Sequence, residues 1–268
     1  MTSPPPPLVT LTLWGVDRPR VPAAVARMAL DRRHLRRTPG LRFAKLLGTG
    51  DGRTFTARDA DPLHWGLLAT WDDADAAAAF AAGPTATAWA RLARESLTVT
   101  MTPVASRGRW SGQQPFGDPS PARPVEGPIA AITRARLRMR RAASFWRAVP
   151  PVSADLRTCP GLRLAVGIGE APIGLQGTFS LWDDARSLTD FAFRRPEHRD
   201  VVARTAREGW YAEELFARLQ VRSVAVLRPD TGGAAHADCA VAAAATLPGV
   251  PGLPGLPGVP GGSPAPGA

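Results

Sequence analysis

Lysine and cysteine are almost absent from this chain of 268 residues. Lys45 is the only lysine, so the formal net charge of +10 comes almost wholly from arginine. A basic balance can indicate nucleic-acid binding, but these arginines are spread along the chain with no dense basic run and no RNA- or zinc-finger-type motif. We therefore expect no nucleic acid among the partners of this protein.

The two cysteines, Cys159 and Cys239, are too few for a disulfide framework, which favours a reducing compartment. The N-terminus has neither a basic n-region nor an apolar h-region. No apolar run approaches the roughly 18 residues that span a bilayer. The sequence thus predicts a cytoplasmic protein that touches a membrane, if at all, at its surface.

Several signatures of catalysis are also missing. The segment Gly108-Arg-Trp-Ser-Gly112 does not match the Gly-x-Ser-x-Gly motif of serine hydrolases. The glycines around Gly167 lack the spacing of a dinucleotide-binding loop, and the four histidines show no metal-ligand spacing. No residue is assigned a catalytic role, and any redox chemistry would need electrons from a partner protein.

What the sequence does contain is an internal repeat. A Trp-Asp-Asp triplet begins at Trp71 and again at Trp182, and Pro-Gly-Leu-Arg follows both Thr38 and Cys159. The order of expected elements is β-α-β-β-α-β in each copy, which is the ferredoxin-like unit. We interpret the chain as a tandem duplication of that unit.

Composition then sets the expected boundaries. The first ferredoxin-like unit covers residues 8–107, a Gly/Pro/Ser-rich linker 108–127, the second unit 128–230, and a low-complexity Ala/Gly/Pro tail 231–268, for which we expect disorder. One such sheet leaves a bare face that must be covered. We therefore predict an α+β fold in which the units pack sheet to sheet, as in a dimeric α/β barrel, around an apolar cavity.

His198 is the sharpest candidate for a cofactor site. Pro196 suits the first turn of a helix, and helical spacing places Val201, Val202 and Thr205 on the face of His198. An imidazole held among valines at a cavity is suited to ligating iron, and a single axial histidine is enough for a porphyrin. The alternative is a core histidine that is hydrogen-bonded to a carbonyl group.

Aromatic residues of the second copy are candidates for binding an apolar cofactor or substrate. The alternative for each of them is a place in the hydrophobic core. The four that we assign to the cofactor site are Phe179, Trp182, Phe191 and Trp210.

The assembled motifs resemble the spheroidene monooxygenase family of carotenoid biosynthesis. In the second copy the resemblance rests on Gln176-Gly-Thr-Phe-Ser-Leu-Trp182, on His198 and on Trp210-Tyr-Ala-Glu-Glu-Leu-Phe216. In the first copy it rests on Lys45-Leu-Leu-Gly48, and the segment Gly108 to Gly112 adds to it. Matches extend from the first strand to Asp230.

The resemblance implies a haem-dependent monooxygenase that hydroxylates an acyclic carotenoid and then forms a ketone. It implies haem b as cofactor, with His198 as the metal ligand, and O2 and reduced ferredoxin or a similar electron donor as partners. Two other functions remain open on the residues alone: a cofactor-free monooxygenase of secondary metabolism on the same barrel, and a non-enzymatic module that binds an apolar ligand.

Overall fold

The computed structural model describes residues 8–119, 125–171, 174–194, 196–227 and 239–240, without the side chains of 196–199, 206 and 239–240. The strands are β1 Leu8–Val16, β2 Leu41–Gly50, β3 Ala60–Trp71, β4 Ala93–Gly108, β5 Ile129–Leu137, β6 Leu162–Gly169, β7 Leu175–Trp182, β8 Tyr211–Leu227 and β9 Cys239–Ala240. The helices are α1 Val21–Leu35, α2 Ala74–Ala82, α3 Pro84–Leu92, α4 Ala142–Arg157, α5 Ala185–Arg194 and α6 Pro196–Glu208. Apart from β9, the predicted tail at 231–268 lies outside the described residues.

Eight strands close into an antiparallel barrel. Their order is β4-β1-β3-β2-β6-β7-β5-β8, and β8 pairs with β4 to complete the ring. That closing pair is long, running from Ser96↔Leu227 to Gly108↔Leu215. The opposite junction, between β2 and β6, is short and runs from Gly48↔Gly169 to Gly50↔Gly167. Closure pairs each of these eight strands on both sides, although β2 and β6 pair with each other over only three residues. The mixed α/β class and the barrel expected from the sequence are confirmed.

We call β1–β4 with α1–α3 the first half and β5–β8 with α4–α6 the second half. Each half has the strand and helix order that the sequence predicts, although the structure divides the second helix of each half in two. The boundaries at 8–107, 108–127 and 128–230 stay predictions.

The interior of the barrel is filled. Alternate residues of each strand point inward, and Leu13 of β1, Leu68 of β3 and Phe179 of β7 are among the fully buried members of this core. The expectation of a cavity between the two sheets therefore differs from the structure, because inward-facing Val, Leu, Ile and Phe side chains occupy that space. Helices cover the outward faces of the sheet in both halves.

The sequence pattern predicts strands over 97–102 and 219–227 and a helix over 140–149, and in the structure all three elements run further. Strands β4 and β8 are 16 and 17 residues long, because each pairs with the other half of the barrel as well as its own. Helix α4 continues through Pro150 and Pro151 to Arg157. Proline inside a helix removes a hydrogen bond. Here the apolar face of α4, with Phe145 and Val149 buried, favours the longer helix.

Part of the predicted linker belongs to the core. Trp110 and Phe116 are 1% and 0% exposed and pack among the inward-facing residues of the barrel. Residues 120–124 lie outside the described part. Within the described part, no helix is both long and apolar enough to cross a membrane.

Candidate functional site

A cavity of about 1480 Å³ lies between the helices of the second half and the outward face of its strands. Sites for drug-sized ligands occupy roughly 300–1,000 Å³, so this space suits a larger ligand or two ligands together. The helical side chains that line it include Phe145, Val149, Val152 and Leu156 of α4, Leu188 and Phe191 of α5, and Val201, Val202 and Thr205 of α6.

The floor of the cavity is formed by β5, β6 and β7, whose outward-facing side chains are small. They are Ala131, Thr133 and Ala135 on β5, Ala165 on β6, and Thr178 and Ser180 on β7. Each alternates with inward-facing residues such as Ile132 and Phe179, which belong to the barrel core. Side chains of this size leave a shallow surface on which a flat or extended ligand can lie.

The matching surface of the first half is closed by large side chains. Counted from the two Trp-Asp-Asp triplets, the cross-strand pair Trp14↔Trp65 holds the place that Ala135↔Gln176 holds in the second half. Trp14 also stacks on Trp89 of α3, with ring centroids 4.7 Å apart. Two indole rings are thus replaced by a methyl group and a carboxamide, which opens the second half to a ligand.

Tyr211 supplies a buried hydroxyl group at one end of the cavity. It lines the space at the start of β8 and shares a side-chain hydrogen bond with Thr205 of α6. Burial raises its pKa from 10.0 to about 12, so the phenol stays protonated and neutral near neutral pH. Its ring packs edge-on against Phe145 of α4, with centroids 5.9 Å apart.

Gln176 places the amide donor Nε2 at the same end of the floor. The residue lines the cavity and is only 8% exposed. Its Nε2 is buried and has no hydrogen-bond partner among the described residues. An unpaired buried donor costs about 1–3 kcal/mol, so a group of this kind in a ligand cavity calls for an explanation.

Exposed apolar side chains lie at the mouth of the cavity. Phe193 of α5 and Val202 of α6 both line the cavity, yet they are 63% and 51% exposed. They therefore lie where the cavity meets solvent. Arg218 lies over the Phe193 ring, 5.8 Å from its centroid.

A buried ion network lies beside the cavity. Arg134 of β5 is 4% exposed and bonds to both Glu170 and Glu213, with 2.7 Å from Nη2 to the Glu170 Oε1 atom. Lys45 of β2 binds the other oxygen of Glu170 at 2.6 Å. Trp110 donates its indole N–H to Glu170 as well, at 2.7 Å.

The carboxylates of this network are held in their charged form. Burial alone would raise the pKa of Glu170, but hydrogen bonds from Lys45 and Arg134 lower it below 4.5. The pKa of Glu213 is lowered in the same way, by the backbone N–H groups of Gly112 and Ser111 and by Arg134. Because its charges balance and are paired, the network is suited to fixing strands and the 108–112 turn and not to binding a ligand.

The four predicted aromatic residues have different surroundings. Phe191 lines the cavity. Trp182 stacks on Phe191 at 5.5 Å, and Trp210 packs on Phe145 at 5.6 Å, so both support the walls from behind. Phe179 belongs to the barrel core, because its strand position points inward, and it does not line the cavity. We therefore leave Phe179 out of the site.

His198 falls in the first turn of α6, and its side chain lies outside the described residues. The helix itself borders the cavity through Val201, Val202 and Thr205, the residues that helical spacing groups with position 198.

A different histidine is buried in the first half. His64 is 1% exposed, with Nδ1 2.6 Å from Asp61 and Nε2 3.5 Å from Glu95. It borders a second cavity of about 870 Å³, which Arg18, Arg58 and Arg94 also line. Among the described residues, no group of three His, Cys, Asp or Glu side chains is arranged to hold a metal ion.

Sequence reasoning missed Gln176 and Tyr211 as cavity residues. A signal for Gln176 was present, since it stands at the same distance before its Trp-Asp-Asp triplet as Trp65 stands before the other. A glutamine in the place of a tryptophan on an outward face indicates a cavity. For Tyr211 the signal was weaker, because tyrosine is common in cores.

Curated relatives match most of the chain. The sequence is 34% identical over 222 residues to the spheroidene monooxygenase of Rhodobacter capsulatus, covering 80% of this chain and 90% of that protein. It is 38% identical over 188 residues to the spheroidene monooxygenase of Rubrivivax gelatinosus, covering 69% and 71%. No protein-family model matches the chain.

Among solved structures, an aldoxime dehydratase superposes with a TM-score of 0.54 and 9% sequence identity, covering 80% of each chain. At that identity the likeness concerns the fold alone.

Proposed function

Because this chain belongs to the spheroidene monooxygenase family, we propose that it inserts oxygen from O2 into an acyclic carotenoid held in the cavity of the second half. The first product is an alcohol, and a second oxidation at the same carbon gives a ketone. The proposed substrate site rests on a difference between the two halves. Trp14 and Trp65 fill the outer face of the first half, whereas Ala135 and Gln176 leave that of the second half open.

The apolar mouth supports a hydrophobic, elongated substrate. Phe193 and Val202 present apolar surface to solvent at the entrance, as a site that receives a chain from a lipid phase requires. The protein would collect its substrate by contact with a membrane surface. Inside, Phe145, Val149 and Phe191 give the polyene an apolar wall.

We further propose that the cavity holds haem b. The volume of about 1480 Å³ and the small floor residues support a flat macrocycle with a substrate beside it. When bound, haem would supply the activation of O2 that inserts oxygen into a carbon–hydrogen bond. The surrounding residues exclude water from the reacting atoms.

His198 is the proposed iron ligand. It belongs to α6, the helix that carries Val201, Val202 and Thr205 into the wall. Helix α3 of the first half also begins with a proline, Pro84, but the residue two places on is alanine. The first half would then support the fold without binding iron.

Each oxygen insertion consumes two electrons and two protons, and the second oxygen atom of O2 leaves as water. Since the sequence lacks a nicotinamide or flavin fingerprint, we propose that reduced ferredoxin or a similar protein supplies the electrons.

We also propose that the two halves arose by duplication of a ferredoxin-like unit. In support, each half has the order β-α-β-β-α-β, and the pairs Leu8↔Trp71 and Ile129↔Trp182 stand in the same place. The tail after residue 230 would lie outside both units.

Absorption spectra of protein produced with ample haem test the proposal. We expect one haem per chain and a Soret band that weakens or shifts in His198→Ala. The matched control is His34→Ala, since His34 is 65% exposed at the end of α1 and should leave the band unchanged.

Product analysis completes the test. With an acyclic carotenoid, O2 and reduced ferredoxin, the wild type should give the hydroxylated and then the keto product. Colourless protein that still oxidises the carotenoid would overturn the haem proposal alone. Haem-loaded protein that consumes no O2 with any acyclic carotenoid would overturn the proposed reaction.

A further inference from the structure

The unpaired amide of Gln176 is the least explained polar group in the cavity. Its Nε2 is buried, it has no partner among the described residues, and the side chain is 8% exposed. The indole N–H of its counterpart Trp65, in contrast, donates to the Pro62 carbonyl oxygen at 3.0 Å. Gln176 therefore holds a donor that no other described residue uses.

The neighbourhood of Gln176 leaves room for a partner from the ligand. Its cross-strand neighbours are Ala135 on β5 and Gly169 on β6, which add only a methyl group and a hydrogen atom beside it. Thr178, two residues on, continues the same face with another small side chain. A ligand lying on this floor would bring its own atoms to the Nε2 donor.

The complementary group is a hydrogen-bond acceptor on the ligand. The hydroxyl oxygen formed in the first oxidation is such an acceptor, and it lies on the carbon that is oxidised again. We infer that Gln176 donates a hydrogen bond from Nε2 to this hydroxyl oxygen and so positions the alcohol for the second oxidation. The inference rests on the proposed function and adds a positioning residue to it.

The chemistry balances with the same co-substrates. In the second step the carbon–hydrogen bond beside the hydroxyl group is oxidised by O2 with two electrons and two protons, giving a geminal diol and water. Loss of a second water gives the ketone. Gln176 neither gains nor loses a proton in these steps, and its contribution is to hold the oxygen end of the intermediate on the floor of the cavity.

A donor kept for a ligand should be dispensable for folding. Replacing Gln176 with leucine removes an unsatisfied buried polar group, so the folded protein should be as stable as the wild type or slightly more stable. A glutamine that held the fold together would instead destabilise the protein when replaced.

The test compares two acyclic carotenoids that differ by one terminal hydroxyl group. Their Kd values are measured in detergent by quenching of tryptophan fluorescence, for the wild type, Gln176→Leu and the control Gln220→Leu. Gln220 lies on β8 of the same half, and its amide bonds to the Glu126 carbonyl oxygen at 3.2 Å, away from the cavity. This measurement does not require turnover.

We expect the wild type to favour the hydroxylated carotenoid. In Gln176→Leu the ratio of the two Kd values should change about 3- to 10-fold toward the unhydroxylated compound, as the loss of one neutral hydrogen bond implies. Gln220→Leu should keep the wild-type ratio. In turnover, Gln176→Leu should release more alcohol and less ketone, while its thermal unfolding temperature stays at or above that of the wild type.

Three results would overturn the inference. If the Kd ratio is unchanged in Gln176→Leu, the inference is wrong and the proposed function is unaffected. A changed affinity for carbon monoxide in haem-loaded Gln176→Leu, with an unchanged Kd ratio, would assign the donor to a ligand on iron instead. A wild type that binds neither carotenoid would remove the proposed function and the inference together.

Discussion

The pairs Trp14↔Trp65 and Ala135↔Gln176 show how single residues fill one outer face of the barrel and leave a cavity on the other. In the first half the indole of Trp14 reaches across to Trp89, and the helix packs directly on the sheet. In the second half the small Ala135 leaves a gap in the same place. The difference lies in side-chain volume, since the strands pair in the same register.

A large side chain at position 135 should close the cavity of the second half. We expect Ala135→Trp to weaken carotenoid and haem binding at least tenfold, because an indole would occupy the floor beside Gln176. Equilibrium titration of wild type and variant measures this. Ala143→Trp is the control, because Ala143 is exposed on α4 and does not line the cavity. Unchanged binding in folded Ala135→Trp would place the ligand elsewhere.

The only tyrosine of the chain allows a clean titration of the site. In the folded protein Tyr211 should ionise near pH 12, whereas in denaturant it should ionise near its usual value of 10. Because the folded pKa is raised, the neutral phenol stabilises the fold below pH 10, and this contribution is lost as the pH rises toward 12. Phenolate absorbance against pH measures both values, and a folded value near 10 would contradict the burial of the ring.

For individual residues, the sequence indicated a difference between the two halves but did not separate side chains that line the cavity from side chains of the core. The aromatic content directed attention to the second half, where Phe191 lines the cavity. Phe179 could not be separated from it by composition, because which face of β7 points inward depends on pairing with β5 and β6. Gln176 was passed over because a lone glutamine carries no motif of its own.

At the scale of elements, the network around Arg134 ties together strands that are distant in sequence. Lys45 belongs to β2, Arg134 to β5 and Glu213 to β8, and Glu170 follows β6 directly. Glu213 also accepts hydrogen bonds from the backbone N–H groups of the 108–112 turn. The network therefore fixes the end of the barrel at which the two halves are connected.

Removing Arg134 from this network should lower the free energy of unfolding. We expect Arg134→Met to destabilise the protein by about 3 kcal/mol, because Glu170 and Glu213 would remain largely buried without their main partner. Arg42→Met, which removes the exposed Arg42–Asp72 pair, should cost less than about 1 kcal/mol. Chemical unfolding of both variants measures the difference, and equal costs would show that the Arg134 network adds no more than a surface pair.

The same network predicts how stability depends on pH. The folded pKa values of Glu170 and Glu213 are lowered, so their contribution is present above about 4.5 and is lost as the pH falls through the folded values. In Arg134→Met the folded pKa values of both carboxyl groups should rise, so acidification should destabilise the variant less than it destabilises the wild type. Unfolding free energy against pH, measured between neutral pH and pH 3, tests the direction.

Among the elements, strands with clear alternation were predictable and long-range extensions were not. The sequence pattern predicts a helix over 21–35 and a strand over 129–137, and α1 and β5 have these bounds. The sequence pattern predicts the closing strand only over 219–227, because Glu213 and Glu214 interrupt the apolar alternation where β8 begins to pair with β5. Proline at 150–151 predicted a helix end that the packing of α4 does not follow.

On the scale of the whole molecule, closure of the barrel joins the two halves into one core. Inward-facing residues of all eight strands contact one another, and Trp110 and Phe116 from the predicted linker pack with them. Neither half could bury these surfaces alone. Sequence reasoning predicted the closure from the repeat but expected a hollow centre, because the volume of the inward-facing side chains cannot be judged without their register.

Shared burial predicts cooperative unfolding. We expect a single transition in urea, with tryptophan fluorescence and far-ultraviolet circular dichroism giving the same midpoint. Amide hydrogen exchange in the β4–β8 pairs should be as slow as in the central strands of each half. Two separated transitions would show that the halves unfold independently despite the barrel.

The long β4–β8 pairing joins two halves of one chain, so a mutation in one half is not repeated in the other. In a barrel assembled from two copies of one shorter chain, every substitution would appear twice, and opening one face would open the other. Here different residues of one chain form the two faces. Trp14 and Trp65 can therefore fill the outer face of the first half while Ala135 and Gln176 leave a cavity in the second. When one chain forms both faces of a barrel, substitutions can change one face and leave the other unchanged.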